Sequence, residues 1–163
     1  MARFLVHHGV PMRRESGFTL VEIMIVVAVI ALLAAIAVPG FTRARKRAQN
    51  AKFLNALRVA SDAADLYAIE NHGKYPPDTT RGIVPPQLAT YLDQTFDWTA
   101  PTPIGGRWDW EFGVYSVRAA ISVVDGPDAE RMTEIDSQYD DGDLTTGRFR
   151  QLGADRYAVI IAP

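Results

Sequence analysis

Hydrophobic positions are laid out in three different ways along this chain. From Phe18 to Val38 they are continuous: FTLVEIMIVVAVIALLAAIAV has 21 residues, and Glu22 is its only strongly polar member. A helix of that length rises roughly 30 Å, the thickness of a bilayer core. Next, apolar residues recur at helical spacing, with Phe53, Leu57, Ala60, Ala64 and Tyr67 on one face and Ala44, Ala48 and Ala51 extending a small-residue strip toward the apolar run. In the last third the period falls to two. Trp108-Asp109-Trp110-Glu111-Phe112 alternates apolar and charged, and Val117, Ala119, Ile121 and Val123 share a second alternating face.

Breakers divide these patterns. Pro39-Gly40 interrupts the apolar run at its far end and predicts a kink or melted turn, or else a helix boundary at the membrane surface. Asn71, His72 and Gly73 predict the helix end, and Tyr75 before Pro76 is pushed to extended backbone. Pro76 to Gly106 is rich in proline and glycine and reads as loop, with one short helix expected at Gln87–Leu92. The two alternating runs predict an antiparallel hairpin turning near Gly113. Pro127 opens a short helix reaching about Tyr139, and Phe149–Leu152 and Tyr157–Ile161 read as the last strands. The expected fold is α+β: one long N-terminal helix, half of it transmembrane and half amphipathic, on a small antiparallel sheet. The expected divisions are a stretch before the apolar run (1–17), a membrane segment (18–38), the rest of the long helix and its exit (39–75) and a soluble head (76–163).

Charge adds an asymmetry. Arg43, Arg45, Lys46, Arg47, Lys52 and Arg58 form a stretch with no acidic residue, whereas Tyr75 onward carries 7 basic against 14 acidic residues. A basic stalk suits anionic lipid head groups or an acidic head on another subunit. The acidic head opposes phosphate binding, so nucleic acid is not an expected partner. Arg3, Arg13 and Arg14 before the apolar run favour a cytoplasmic N-terminus.

Candidate chemistry is sparse. The 163 residues include no cysteine, which removes disulfides and thiolate metal sites. His7 and His8 lie before the apolar run, leaving His72, which beside Gly73 reads as a capping residue rather than a catalyst. No enzymatic constellation emerges. Trp98, Trp108 and Trp110 are expected in the core or at subunit contacts. Asp136, Asp140, Asp141 and Asp143 on a Gly142-containing turn offer hard oxygen ligands for calcium, or form a solvated acidic loop.

A secretory signal would have an apolar core of about 7–15 residues, so the 21-residue run argues for a retained anchor. Glu22, about one turn into that run, is costly in hydrocarbon unless paired. Around it, Arg13-Arg14-Glu15-Ser16-Gly17-Phe18-Thr19-Leu20-Val21-Glu22 resembles the prepilin signal of type IV pilins and type II secretion pseudopilins. That resemblance implies a pilin-like fold, cleavage between Gly17 and Phe18 by a prepilin peptidase, and N-methylation of Phe18. It implies a helix that loosens at Pro39 and Gly40 on assembly, and pairing of Glu22 with the Phe18 amine of a neighbouring subunit.

The stretch from Leu66 to Pro76, with Tyr67, Asn71, Gly73, Tyr75 and Pro76, resembles the segment by which many pseudopilins leave their long helix. The family further implies other pilin or pseudopilin subunits as partners in a homo- or hetero-oligomeric filament, an inner-membrane assembly platform, and a bacterial inner-membrane location with the head outside the cytoplasm. Major pseudopilins bind calcium in a C-terminal loop, which bears on the acidic turn. The expected function is a structural subunit of a pilus-like or pseudopilus filament. The alternative is a tip pilin whose head grips DNA, a surface or a secreted substrate.

Overall fold

The computed structural model describes residues 17–92 and 96–163. They form, in chain order, α1 (Leu20–Glu70), β1 (Arg107–Phe112), β2 (Ala119–Val124), α2 (Ala129–Tyr139), β3 (Phe149–Gly153) and β4 (Arg156–Ala162). The chain divides into two units, Met1–Thr42 and Arg43–Pro163.

In the first unit, α1 begins two residues after the expected Phe18 because Thr19 serves as its N-cap. The helical assignment then runs through Pro39 and Gly40 without a melted turn or boundary. Thr42 Oγ1 donates to Val38 O at 3.0 Å, one turn back across that proline.

In the second unit, the amphipathic half of α1 buries Phe53, Leu54, Leu57, Ala60 and Ala64. They pack against Trp108, Trp110, Ala119, Ile121, Val123, Tyr157 and Val159 from the sheet in one core. Phe53 stacks on Trp108 with ring centroids 5.3 Å apart and planes 6° apart. The three tryptophans are core residues, as expected, and Trp110 Nε1 donates to Pro76 O at 3.1 Å.

Glu70 is the last helical residue. Gly73 N donates to Ala68 O at 2.8 Å, and His72 has φ 58°. His72 is thus the left-handed residue of the cap, with Gly73 closing the six-residue ring, the pattern that satisfies orphan carbonyls at helix ends. Arg118 Nη2 secures the exit by donating to Gly73 O at 2.8 Å.

The sheet is antiparallel with order β1-β2-β4-β3. Trp108 pairs with Val123, Trp110 with Ile121 and Phe112 with Ala119, so these side chains share the face turned to α1. Gly106 opens β1 at φ +79°, and a Cβ there would lie 2.5 Å from Val124 O. Asp128 caps α2 by accepting from Arg131 N at 3.0 Å. Lys46 Nζ lies 2.7 Å from Glu134, and the Arg131 side chain donates to Gln49 and Asn50, so α2 is tied to α1.

One expectation is corrected, and β1 holds an arrangement that alternation alone did not specify. Residues 87–92 make successive turns on Pro85 and Leu88 carbonyls rather than an α-helix; six residues after two prolines are too few to repay helix nucleation. The charged positions of β1 do not face water: Asp109 and Glu111 are 4% and 3% exposed. Arg156 of β4 crosses above the sheet to reach both.

Candidate assembly and cation sites

The apolar run contributes no buried residue. Its 18-residue membrane-compatible window is 0% buried, and Phe18 is 83% exposed. Gly17, Phe18 and Thr19 precede the helix in non-helical backbone, and a Cβ at Gly17 would meet nothing within 4 Å. Residues 13–16 and the rest of the expected leader lie outside the described residues.

Glu22 is not a stray carboxylate. Its Oε2 accepts from Thr19 N and Thr19 Oγ1, both at 2.8 Å, and Glu22 N donates back to Thr19 Oγ1 at 3.3 Å. This reciprocal arrangement is a capping box, which satisfies orphan amides at a helix start. The spacing Thr-x-x-Glu was readable in the sequence. Reading the segment only as a membrane span hid it.

The acidic turn is organised by the end of α2. Carboxylate oxygens of Asp136, Asp140 and Asp141 come within 4.8 Å of one another. Asp136 has no exposed surface, and neither of its oxygens makes a hydrogen bond of ordinary geometry among the described residues, although the Gly142 amide lies near enough to favour its charged form. Burial, reinforced by the charges of Asp141 and Asp140, pushes its carboxyl up to about 6.

The other acids of the turn shape the loop. Asp140 accepts from Arg148 N, and a Cβ at Gly147 would collide with that carboxylate. Asp141 accepts from Asp143 N at 2.9 Å and Thr146 Oγ1 at 2.8 Å, which hold its carboxyl below the usual range. Asp143 turns to Thr145, accepting from its hydroxyl at 2.7 Å and its amide at 2.9 Å, and stays outside the trio. Three clustered carboxylates with two orphaned buried oxygens fit a hard divalent cation.

A third arrangement escaped the sequence reading. Arg156 Nη1 donates to Asp109 Oδ2 at 2.7 Å, to Glu111 Oε1, and to Ser122 Oγ at 3.1 Å. Burial pushes the Asp109 carboxyl up, while Arg156 pulls it back. The three strands meet only through pairing, so no local signal announces the cluster.

Residues 12–38 match the family described as the prokaryotic N-terminal methylation motif. The type II secretion system core protein G of Escherichia coli (strain K12) is 30% identical over 136 residues, covering 76% of this chain and 89% of that protein. The type IV wide pilus major component PilA4 of Thermus thermophilus is 43% identical over 61 residues, 37% of this chain and 47% of that protein. The structure of the major type IV pilin PilA1 from Clostridium difficile aligns with a TM-score of 0.49 and 14% identity over 72% of this chain and 97% of that one. The chain belongs to the family of type IV pilins and type II secretion pseudopilins, which are structural filament subunits.

Proposed function

We propose that this chain is a major pseudopilin of a type II secretion-like machine. In this reading a prepilin peptidase cuts it between Gly17 and Phe18, Phe18 is N-methylated, and the subunit waits as a single-pass inner-membrane protein with its head outside the cytoplasm. An inner-membrane platform then assembles it into a filament. One observation carries the reading: the apolar half of α1 is long enough to cross a bilayer and buries nothing within its own molecule. Lipid first, and neighbouring helices afterwards, are the surfaces that can cover it. The protein G relative, matched over 89% of its length, supports a pseudopilus over a long pilus and does not favour the tip-binding alternative.

Within that function Glu22 sets axial register by pairing with the methylated amine of Phe18 in a neighbouring subunit. The capping box supports this by fixing the carboxylate beside the N-terminus, where the helix dipole also favours negative charge. Loosening of the helix at Pro39 and Gly40 belongs to the assembled state, because proline leaves one carbonyl of the ladder without its donor. Asp136, Asp140 and Asp141 hold calcium, with Asp143 shaping the turn. The ion would supply positive charge that stabilises the loop, and these residues would bind it with no other chemistry.

Mass spectrometry of chain from a host with its peptidase should show a mature protein beginning at methylated Phe18. Gly17→Val should remain uncut, since a branched side chain obstructs close backbone approach. Glu22→Gln keeps the capping box, which accepts either residue, but removes the charge. It should be cut and inserted normally yet enter filaments as poorly as Glu22→Ala. Wild-type assembly of Glu22→Gln would reduce Glu22 to a helix cap, and an intact leader on the wild-type chain would refute the processing scheme.

A further inference from the structure

The face of the sheet turned away from α1 carries a cavity of about 720 Å³ lined by Asp78, Arg81, Asp109, Glu111, Tyr115 and Asp155, with Arg156 at its base. That volume lies within the roughly 300–1,000 Å³ of pockets that hold small ligands. Four chain segments build it: the crossing after the helix exit, the β1 strand with its hairpin loop, the end of β2, and the start of β4.

Charge decides what it can hold. Four carboxylates of the lining face two guanidiniums, Arg81 and Arg156. Arg81 is already engaged, with Nη1 2.8 Å from Asp125, which is not part of the lining. Arg156 is shared between Asp109 and Glu111 through a single nitrogen, so one positive charge serves two buried carboxylates. Asp78, which accepts from Phe112 N at 3.0 Å, and Asp155 add two carboxylates with no ion pair among the described residues, and a cleft concentrates such a field. An anion entering here would meet net repulsion.

The aromatic wall favours the same ligand sign. Tyr115 is 49% exposed, and its ring lies 5.0 Å from the Arg156 guanidinium carbon, presenting a π-face where cations are attracted. Tyr115 and Ser116 hold φ of 52° and 60°, an unfavourable backbone for side-chain-bearing residues. Burial disfavours the charged form of the Asp109 carboxylate, and the one guanidinium of Arg156 offsets it only in part.

We propose that this cavity binds a protonated amine or guanidinium group, supplied by a lysine or arginine side chain of a peptide or by a free polyamine. Binding here requires no assembly, so the inference goes beyond the filament reading and does not depend on it.

Calorimetric titration of the full chain in detergent micelles at low salt tests it, with N-acetyl-lysine amide, N-acetyl-arginine amide and spermidine as probes and glutamate as the anionic control. At least one cationic probe should bind and glutamate should not. Asp155→Asn, at the exposed rim, should weaken binding about 2- to 5-fold, the size of one exposed charge contact. Glu111→Gln, at the base, should weaken it about tenfold or more. Binding of the amino-acid amides assigns a peptide source, and binding of spermidine alone assigns a polyamine. No heat with any cationic probe, or affinity unchanged in Asp155→Asn, would overturn the site. Circular dichroism checks that both variants fold, and Asp155→Asn decides the matter if Glu111→Gln does not. Wild-type filaments with a null titration defeat the cavity alone, whereas binding without filaments defeats the filament reading alone.

Discussion

The two halves of α1 belong to one helix but answer to different solvents. Up to Thr42 it buries no side chain, while from Asn50 to Ala68 it buries nine. The first half is apolar all round and has no face to choose. The second has one apolar face whose partners, Trp108, Ile121 and Tyr157, lie in the same chain. Helix propensity is common to both, so what separates them is where the covering surface comes from. For the second half the head supplies it, and for the first it must come from outside the molecule.

Substitutions sharpen this contrast most where the covered half meets the sheet. Phe53→Ala removes a ring that is fully buried and stacked on Trp108, and should cost about 3–5 kcal/mol of head stability. Leu33→Ala, in the uncovered half and 60% exposed, should leave the head's unfolding transition unchanged. Denaturant unfolding of the full chain in detergent, followed by near-UV dichroism, measures both. Equal losses would mean that the halves are not energetically separate.

Arg156→Ala comes next. It strands Asp109 and Glu111, two carboxylates with almost no exposed surface, and breaking such a cluster by removing one partner costs about 3–5 kcal/mol. Arg156→Lys keeps a charge but not the planar fork and should recover only part of that loss. The same cluster marks where sequence reading stopped. Alternation in β1 correctly placed Trp108 and Trp110 on one face and Asp109 and Glu111 on the other. It left the surroundings of the second face open, because the neutralising arginine is 45 residues away and reaches it only through the order β1-β2-β4-β3.

Local signals fared better. The hairpin near Gly113, a helix reaching Tyr139 and both final strands followed from period and turn chemistry alone, although that helix starts at Ala129, two residues after the expected Pro127. His72, read as a capping residue, proved to be the left-handed one, a detail that spacing does not carry.

The acidic turn has a smaller effect whose sign depends on pH. Asp136 titrates at about 6 in the folded chain against an ordinary 3.8, so the folded state holds this proton more tightly than the unfolded one. Its contribution is therefore fully present below about pH 4, is lost as pH rises through 6, and stays lost above that. Calcium at pH 7 should reverse the loss and raise the melting temperature. Asp136→Asn should flatten the metal-free pH dependence and remove the calcium response together. A calcium shift that survives Asp136→Asn would place the ion elsewhere.

The smallest effects come from the two helix caps, one in each region. Asp128 accepts from Arg131 N at 3.0 Å and starts a helix that is tied to α1 through Arg131 and Glu134. Losing an N-cap of this kind costs about 1 kcal/mol, so Asp128→Ala should lower the head's melting temperature by several degrees. Thr19 Oγ1 makes the equivalent bond by accepting from Glu22 N at 3.3 Å, so Thr19→Ala removes a cap of similar worth. Nothing in the head depends on that first turn, however, and the cost should stay local. Melting of the head should be unchanged, while the amides of residues 19–23 should exchange with solvent about fivefold faster, the factor that 1 kcal/mol implies. If Thr19→Ala lowers the melting temperature as Asp128→Ala does, the uncovered half of α1 transmits stability to the head. The separation of the two regions would then be one of burial and not of energy.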